Sequence, residues 1–249
     1  MNKYSYLSAP WINKPDNVHA VTTLRTGGQS QGQYADYNLA MHVGDDMLAV
    51  ENNRNQLMND LHLPSEPIWL EQVHSDKVFN ASRQVLNQLP HADASVTQQK
   101  GVVCTVMTAD CLPVFFCNQA GTEVAVAHAG WRGLHAGIIS NTVKAMKSSA
   151  SEIFVSLGPA IGAQSFEVGV DVFSAFVSKN PLNESAFIAT SKEHFLCDIY
   201  CLAKIELLSL GIEQIAGGDS CTYVQNQQFY SFRREGITGR MASLIWMSE

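Results

Sequence analysis

Apolar and polar residues alternate along short stretches of this chain, and a few longer stretches repeat apolar residues three and four positions apart. Alternation predicts strands, and the wider spacing predicts amphipathic helices. The predicted strands lie at 18–24, 67–73, 77–81, 101–108, 113–117, 123–127, 152–157, 222–225, 229–234 and 242–247. The predicted helices lie at 51–63, 133–147, 171–178 and 198–210. Strands interleaved with so few helices favour a mixed β-sheet covered by helices over a doubly wound parallel sheet.

Residues that start or stop helices flank two of the predicted helices. Pro64 follows the first helix and cannot continue it. Asp198 precedes the last helix as an N-cap, and Gly211 lies just beyond its end. These signals set the limits of the helices at 51–63 and 198–210.

Reactive side chains concentrate in the stretch 108–133. Its two predicted strands are joined by a short turn at 118–121, as in an antiparallel hairpin. Cys111 precedes the first strand and His128 follows the second, so the hairpin predicts that they lie side by side. His74, at the end of another apolar run, supplies a third side chain of the same kind.

Three such side chains are the number of protein ligands in a catalytic zinc site, which leaves a fourth position open. They are too far apart in sequence to form a local metal motif, so only the fold can assemble the site. The residue types by themselves favour a simpler interpretation, a buried cysteine and two hydrogen-bonded histidines, because an unpaired cysteine is often a core residue.

Loops and helix ends display four further candidates. Arg25 follows the first predicted strand, and Asn38 and His42 lie in a long polar loop, a kind of segment that is often functional. Arg132 stands beside the start of the second predicted helix, whose N-terminal amides are suited to a phosphate or carboxylate.

Other polar residues allow two interpretations. His91 and Asp93 are candidates for acid–base catalysis, although a polar loop contains such residues by chance. Arg233, Arg234 and Arg240 lie in or near loops and are predicted to be solubilising charge at strand edges.

The composition narrows the class of protein. A length of 249 residues, with 46% hydrophobic and 16% charged residues, predicts one large, well-buried α/β domain. The net charge of −7 argues against a nucleic-acid partner, since such binding depends on clustered lysine and arginine. Six cysteines without a C-x-x-C motif predict reduced thiols. Because neither a basic leader nor a membrane-length apolar run is evident, we expect a cytoplasmic protein with no membrane partner.

Short segments of the chain, taken in order, resemble the motifs of one protein family. They are LRTGG, NLAMHVGDD, WLEQVHSD, TADCLPV, AHAGWRG, LGPAIG, FEVG, CTY and FRREGITGRMASLIW. In this combination the chain resembles the YfiH/YlmD family, also described as laccase-domain or polyphenol oxidase proteins, over nearly its whole length. The resemblance implies a single domain over residues 1–249 and an α+β fold, layered α/β/α around mixed β-sheet, which a group of cysteine hydrolases shares. It also implies that zinc binds to His74, Cys111 and His128, against the preference from residue types alone.

The resemblance further implies chemistry on purine nucleosides, with a nucleoside and phosphate as partners. The implied reactions are phosphorolysis of adenosine, inosine, guanosine and methylthioadenosine, and deamination of adenosine to inosine. The chain lacks the H-x-E and P-C-x-x-C signature of the common zinc deaminases. We therefore expect His42 to transfer the proton and Arg25 or Arg132 to hold phosphate. Asn38 is expected to contact substrate, and Cys111 to take part in catalysis as well as in metal binding.

Two other activities stay open. One is a cysteine hydrolase or amidase acting on a peptidoglycan precursor, with Cys111 as nucleophile and His128 as base. The other is a copper-dependent polyphenol oxidase, because two histidines and a cysteine also suit copper when a methionine such as Met41 or Met107 lies nearby. Eight histidines without an H-x-H motif argue against the several copper sites of such an oxidase. These motifs predict no oligomeric state.

Overall fold

β-Strands supply most of the buried core, and helices cover it. The computed structural model describes residues 6–11, 13–83 and 88–248. The strands are β1 (Tyr6–Ser8), β2 (Val18–Thr23), β3 (Val78–Asn80), β4 (Ala94–Thr97), β5 (Cys104–Thr108), β6 (Leu112–Asn118), β7 (Val124–Ala129), β8 (Ile153–Leu157), β9 (Glu167–Gly169), β10 (Phe187–Ala189), β11 (His194–Cys197), β12 (Gln214–Gly217) and β13 (Met241–Met247). The α-helices are α1 (Met47–Asp60), α2 (Trp131–Ala136), α3 (Ile138–Ala145), α4 (Val170–Lys179), α5 (Ile199–Ser209) and α6 (Phe232–Glu235).

Two large sheets and one small sheet contain these strands. The four-stranded sheet has the order β1-β2-β13-β5, and its neighbouring strands are antiparallel. The six-stranded sheet has the order β12-β8-β6-β7-β4-β3, with parallel pairs at its two edges and antiparallel pairs between them. The small sheet has the order β10-β11-β9. The prediction of mixed β-sheet is therefore confirmed.

Both faces of the six-stranded sheet are buried, because alternate residues pack against different layers. In β7, Ala125 and Ala127 pack in a cluster with residues of α2 to α5. Val124 and Val126 pack instead in a cluster with β2, β5 and β13 of the four-stranded sheet. The other face of the four-stranded sheet packs on α1 through a third cluster that includes Leu57. The layers therefore follow the order helix, sheet, sheet, helix.

The predicted helical layers are present on both outer faces, but two stacked sheets lie between them instead of one. Hydrophobic periodicity identifies buried strands, yet it does not say which strands share a sheet. Here β2 pairs with β13, near the opposite end of the chain, so that a sheet forms from strands that are distant in sequence.

The helices agree with the predicted signals where a cap is present. At α5 the Asp198 side chain accepts a hydrogen bond from a backbone amide, as expected of an N-cap. α1 begins earlier than predicted because Asp46 caps it. The helix predicted at 133–147 is two helices, since Gly137 adopts a φ of 106° between α2 and α3. No helix in the described segments combines the length and apolar character needed to cross a bilayer.

Three of the predicted strands are wrong. Residues 67–73 form only isolated bridges, at Ile68 and Glu71. The segments 222–225 and 229–234 contain turns and α6, which the Ser231 side chain caps. The pattern of apolar and polar residues therefore did not distinguish these loops from strands.

Candidate metal centre

Three side chains that can bind a metal meet at one end of the β6–β7 hairpin. The register of the hairpin pairs Pro113 with His128, which brings Cys111, just before β6, close to the end of β7. His74 reaches the same place from the loop that precedes β3. One ligand atom from each of the three residues, an imidazole nitrogen or the cysteine sulfur, lies within 4.8 Å of the other two. The fold thus assembles the group that was too dispersed in sequence to form a local motif.

A buried carboxylate, Asp93, holds both histidines of this group. Its Oδ1 accepts hydrogen bonds from the His74 amide at 3.0 Å and from His128 Nδ1 at 2.8 Å. Its Oδ2 accepts bonds from the amides of Val73 and Ser75, at 3.2 and 2.6 Å, and from the Ser75 hydroxyl at 2.7 Å. Because Asp93 binds Nδ1 of His128, the other ring nitrogen is left for a metal.

The backbone around the group is constrained. His74 has a φ of 58°, and Asp110, next to Cys111, has a φ of 88°. Residues other than glycine rarely adopt such values, so the hydrogen bonds of the surrounding structure must hold them. A Cβ at Gly130 would lie 2.9 Å from the Cys111 Sγ and 3.2 Å from a ring carbon of His74. The side chains of the metal-binding group therefore occupy the space that glycine leaves open.

The charges of the group favour a thiolate. Burial raises the pKa of the Cys111 thiol, but His128 and His74 together outweigh it and lower the pKa to about 6. Burial lowers the pKa of His128, but Cys111 and Asp93 raise it to about 9. Thiolate and imidazole are ligands that zinc takes in catalytic sites, so the chemistry of this donor set fits zinc.

A cavity of about 430 Å³ adjoins the metal-binding group. It is lined by His42, Gln72, His74, Met107, Thr108, Ala109, Asp110, Cys111, His128, Trp131, Arg132, Ile161, Phe166, Ile199, Phe232, Arg233 and Arg240. The lining combines aromatic and aliphatic side chains with a few charged and polar groups, which is the usual make-up of a small-molecule site.

Positive charge exceeds negative charge in the cavity. Asp110 is the one carboxylate among the described lining residues, which include three arginines. It accepts hydrogen bonds from the hydroxyls of Thr222 and Ser231, at 2.6 and 3.0 Å, and from the Arg233 amide at 2.7 Å. These bonds connect the residue beside Cys111 to the segment that carries Arg233.

Two residues predicted for the site do not line the cavity. Arg25 forms an ion pair with Glu235 at 2.6 Å and donates hydrogen bonds to two backbone carbonyls. Asn38 is fully buried, and its side-chain oxygen accepts bonds from the amides of Ala40 and Arg240, both at 3.0 Å. Both side chains therefore have protein partners, and the geometry favours a role in holding loops over the predicted contacts with phosphate and substrate.

The other two predicted residues, His42 and Arg132, line the cavity. Burial lowers the pKa of His42, and the charges of Arg240 and Arg54 lower it further. The Arg132 guanidinium lies 4.3 Å from the ring centre of Trp131. The helix that begins beside Arg132 is shorter than predicted, since α2 has six residues, and the anion site at its start stays a prediction.

Sequence patterns missed the two other arginines of the cavity. Arg233 and Arg240 were expected to be solubilising charge, whereas the structure turns both toward the site. The available signal was their place in one glycine-containing segment, FRREGITGR. The sequence indicated Asp93 only as a candidate for acid–base catalysis, whereas in the structure it accepts hydrogen bonds from Val73, His74, Ser75 and His128. His91, considered with it, pairs instead with Glu71 at the surface, at 3.1 Å.

Known proteins resemble this chain in both sequence and structure. A family model described as "Multi-copper polyphenol oxidoreductase laccase" matches residues 19–248. A protein of Escherichia coli strain K12, named purine nucleoside phosphorylase YfiH, is 48% identical over 98% of this chain and 99% of its own length. The crystal structure of a Neisseria meningitidis protein has a TM-score of 0.94 and 48% identity, over 98% of this chain and 100% of that one. YlmD from Geobacillus stearothermophilus has a TM-score of 0.92 and 29% identity, over 100% of this chain and 98% of its own.

Proposed function

The chain belongs to the family described as multi-copper polyphenol oxidoreductase laccase, and from that premise we propose that it is a zinc-dependent enzyme of purine nucleosides. The proposed reactions are phosphorolysis of adenosine, inosine, guanosine and methylthioadenosine, and deamination of adenosine to inosine. The name of the Escherichia coli relative supports phosphorolysis. The observation that carries the proposal is the meeting of His74, Cys111 and His128 beside a cavity of about 430 Å³.

The cavity suits a nucleoside in size and in chemistry. Small-molecule sites have volumes of roughly 300–1,000 Å³, and this cavity lies within that range. Trp131, Phe166 and Phe232 offer aromatic faces on which a purine can stack. Arg132 adds hydrogen-bond donors, whereas the side-chain amide of Gln72 is bonded at both its nitrogen and its oxygen to the backbone of Met107. An apolar surface for the base and polar groups for the sugar and phosphate are the features that such a substrate requires.

The metal-binding group fits zinc by its donors. His74, Cys111 and His128 would hold the ion. Asp93 would fix the orientation of the His128 imidazole and hold the backbone of His74. When bound, zinc supplies Lewis-acid chemistry at the position that three protein ligands leave open to substrate. Asp93 is bonded to five protein groups and has no capacity left for substrate.

His42 is the proposed proton-transfer group. It lines the cavity, and its lowered pKa keeps the imidazole neutral at neutral pH, so that it can accept a proton. A neutral imidazole also avoids repulsion with Arg240, one of the charges that lower its pKa. Phosphorolysis additionally requires a cationic group that holds phosphate, and the arginines of the cavity supply this charge.

Metal content and turnover of Cys111→Ala, measured beside the wild type, test the proposal. Elemental analysis should find near-stoichiometric zinc in the wild type and its loss in the variant. Adenosine is incubated with and without phosphate, and the products are separated by chromatography. Adenine, the product of phosphorolysis, should form only with phosphate, and inosine, the product of deamination, should form without it. Wild-type protein that holds no zinc and converts no purine nucleoside would contradict the proposal.

A cysteine hydrolase is the second candidate, because Asp93, His128 and Cys111 also form a carboxylate–imidazole–thiol series. In this interpretation Cys111 attacks an amide, as in a peptidoglycan precursor, and His128 acts as its base. The two proposals differ in the state of the thiol, since a thiolate that binds zinc is not free to attack. Rapid alkylation of Cys111 by iodoacetamide in the protein as purified, without zinc, would favour the hydrolase.

Copper-dependent oxidation of polyphenols is the weaker alternative. Met107 lines the cavity and could serve as the additional weak ligand that copper takes. A multi-copper oxidase, however, needs several sets of ligands. Within the described parts of the chain, one group of three or more potential metal-binding side chains comes together. The same elemental analysis, extended to copper, tests this alternative.

A further inference from the structure

The cavity gathers positive charge although the chain as a whole is acidic. The net charge is −7, yet three arginines line the cavity. None of these three forms an ion pair with any described residue. Outside the cavity, by contrast, Arg25 and Arg234 both pair with Glu235. The single lining carboxylate that is described, Asp110, already accepts three hydrogen bonds from protein groups. A local surplus of positive charge in an acidic protein indicates an anionic ligand.

Arg240 has the best arrangement for binding such an anion. Its Nη1 donates hydrogen bonds to the carbonyl oxygens of Thr238 and Gly239, at 2.8 and 3.0 Å. Its Nε and Nη2 donate to no described residue. The guanidinium therefore keeps one edge with two roughly parallel N–H groups, which is the arrangement that binds a phosphate through two hydrogen bonds. A half-buried cation with this edge unpaired is costly, and an oxyanion would remove that cost.

Strand pairing places Arg240 beside the metal-binding group. β13 pairs with β5 so that Met241 lies opposite Thr108. Arg240, the residue before Met241, therefore lies alongside the segment that leads from Thr108 to Cys111. Its backbone is fixed there, because its amide donates a 3.0 Å hydrogen bond to the buried Asn38 side chain.

Arg233 is a second cation on the same cavity. Its Nη1 donates to the Glu167 carbonyl at 3.0 Å, and its backbone amide is bound by Asp110 at 2.7 Å. Its position is thus set by two independent bonds, while the rest of its guanidinium stays available. Arg132, the residue selected from the sequence, is exposed, and among the described residues only the Trp131 ring holds its guanidinium.

We propose that Arg240, assisted by Arg233, forms the subsite that binds inorganic phosphate beside the metal-binding group. This inference rests on the proposed phosphorolysis, and it assigns the phosphate contact to residues other than Arg25 and Arg132.

The test combines direct phosphate binding with kinetics on the zinc-loaded full chain. Calorimetry with inorganic phosphate alone gives a Kd that does not depend on any nucleoside reaction. The KM for phosphate is measured with inosine at saturation. The variants are Arg240→Gln, which removes the charge, Arg240→Lys, which keeps the charge and loses the paired N–H groups, and Arg25→Gln, which tests the rival arginine. Lys144→Gln removes one exposed charge on α3, outside the cavity lining, and is the matched control.

We expect Arg240→Gln to raise both the Kd and the KM for phosphate by at least about tenfold, with a smaller rise for Arg240→Lys. Lys144→Gln should leave both constants near the wild-type values. The subsite is overturned if wild-type protein binds no phosphate, or if Arg25→Gln raises the Kd while folded Arg240 variants do not. Should Arg240→Gln fail to fold, an unchanged Kd in Arg240→Lys would overturn it equally.

Failure of the phosphate subsite and failure of the proposed phosphorolysis give different results in these experiments. If phosphate binds to the wild type and is lost in Arg240→Gln, but no nucleoside is cleaved, then phosphorolysis fails and the anion subsite stands. If the wild type cleaves inosine with phosphate and the KM is unchanged in Arg240→Gln, then the subsite fails and the proposed function stands.

Discussion

Replacement of Asp93 by Asn tests most directly how the metal-binding group is held. Asn has almost the same shape as Asp, but one of its oxygens becomes an NH₂ group that cannot accept hydrogen bonds. In the protein, Oδ1 of Asp93 accepts bonds from His74 and His128, and Oδ2 accepts bonds from Val73 and Ser75. Whichever way the new amide turns, its NH₂ group faces N–H or O–H donors, and it cannot accept their hydrogen bonds.

The loss of stability expected for Asp93→Asn follows from the number of hydrogen bonds that the variant cannot form. Oδ1 accepts two hydrogen bonds and Oδ2 accepts three, so the variant loses at least two. At about 1.5 kcal/mol for each bond to a charged group, the free energy of unfolding falls by about 3 kcal/mol. In a protein of this length such a loss lowers the Tm by roughly 6–12 °C. The affinity for zinc should fall by about 10- to 100-fold, because the His128 imidazole loses the partner that orients it and the loop of His74 loses a backbone anchor.

Thermal melts of metal-free protein measure the first effect, and zinc competition against a chelator measures the second. Ser75→Ala is the matched control, since it removes one bond to the same carboxylate without removing a bond from either histidine. It should lower the Tm by less than Asp93→Asn and leave zinc affinity close to that of the wild type. The reasoning is refuted if Asp93→Asn has wild-type Tm and wild-type zinc affinity, or if Ser75→Ala loses zinc to the same extent.

Two further predictions concern the space and the proton transfer in the site. Gly130→Ala should fold but bind zinc at least about tenfold more weakly, because its Cβ would lie 2.9 Å from the Cys111 Sγ. Circular dichroism measures whether the variant folds, and chelator competition measures its affinity for zinc. Since the pKa of His42 is lowered from 6.5 and the neutral form accepts the proton, kcat for deamination should fall only below pH 6.5. His42→Gln should lose most activity and this acidic limb, and a pH–rate profile with the limb retained would rule out the role.

The pattern of hydrophobic residues along the chain was sufficient to predict the β6–β7 hairpin, which carries the site. β6 and β7 are continuous runs of buried residues, and the predicted strands lie within two residues of their observed limits, so that the approach of Cys111 and His128 could be predicted as well. The information is local, because both strands and their turn lie within one short segment. The same reasoning succeeded for α5, where Asp198 provides a cap.

The same pattern was not sufficient to predict contacts between residues that lie far apart in the sequence. The register that sets Arg240 beside the Cys111 segment depends on the pairing of β13 with β5, which no local pattern specifies. Asn38 and Arg25 were selected because they lie in loops, but a loop residue can face the cavity or anchor the loop. Burial and hydrogen-bond partners, which decide between these roles, exist only in the folded protein.

The stacking of two sheets explains why the site lies where it does. Both faces of the six-stranded sheet are covered, so polar groups can leave the core only at strand ends. The segment between β5 and β6 is one of the places where the chain passes from one large sheet to the other, and it contains Asp110 and Cys111. Pairing within one sheet brings Arg240 to this segment, and pairing within the other brings His128 and Gly130. Arg240 and His128 therefore approach this segment from different sheets. His74 reaches the cavity from a loop and Arg233 from α6, so the cavity is bounded by loops and helix ends as well as by both sheets.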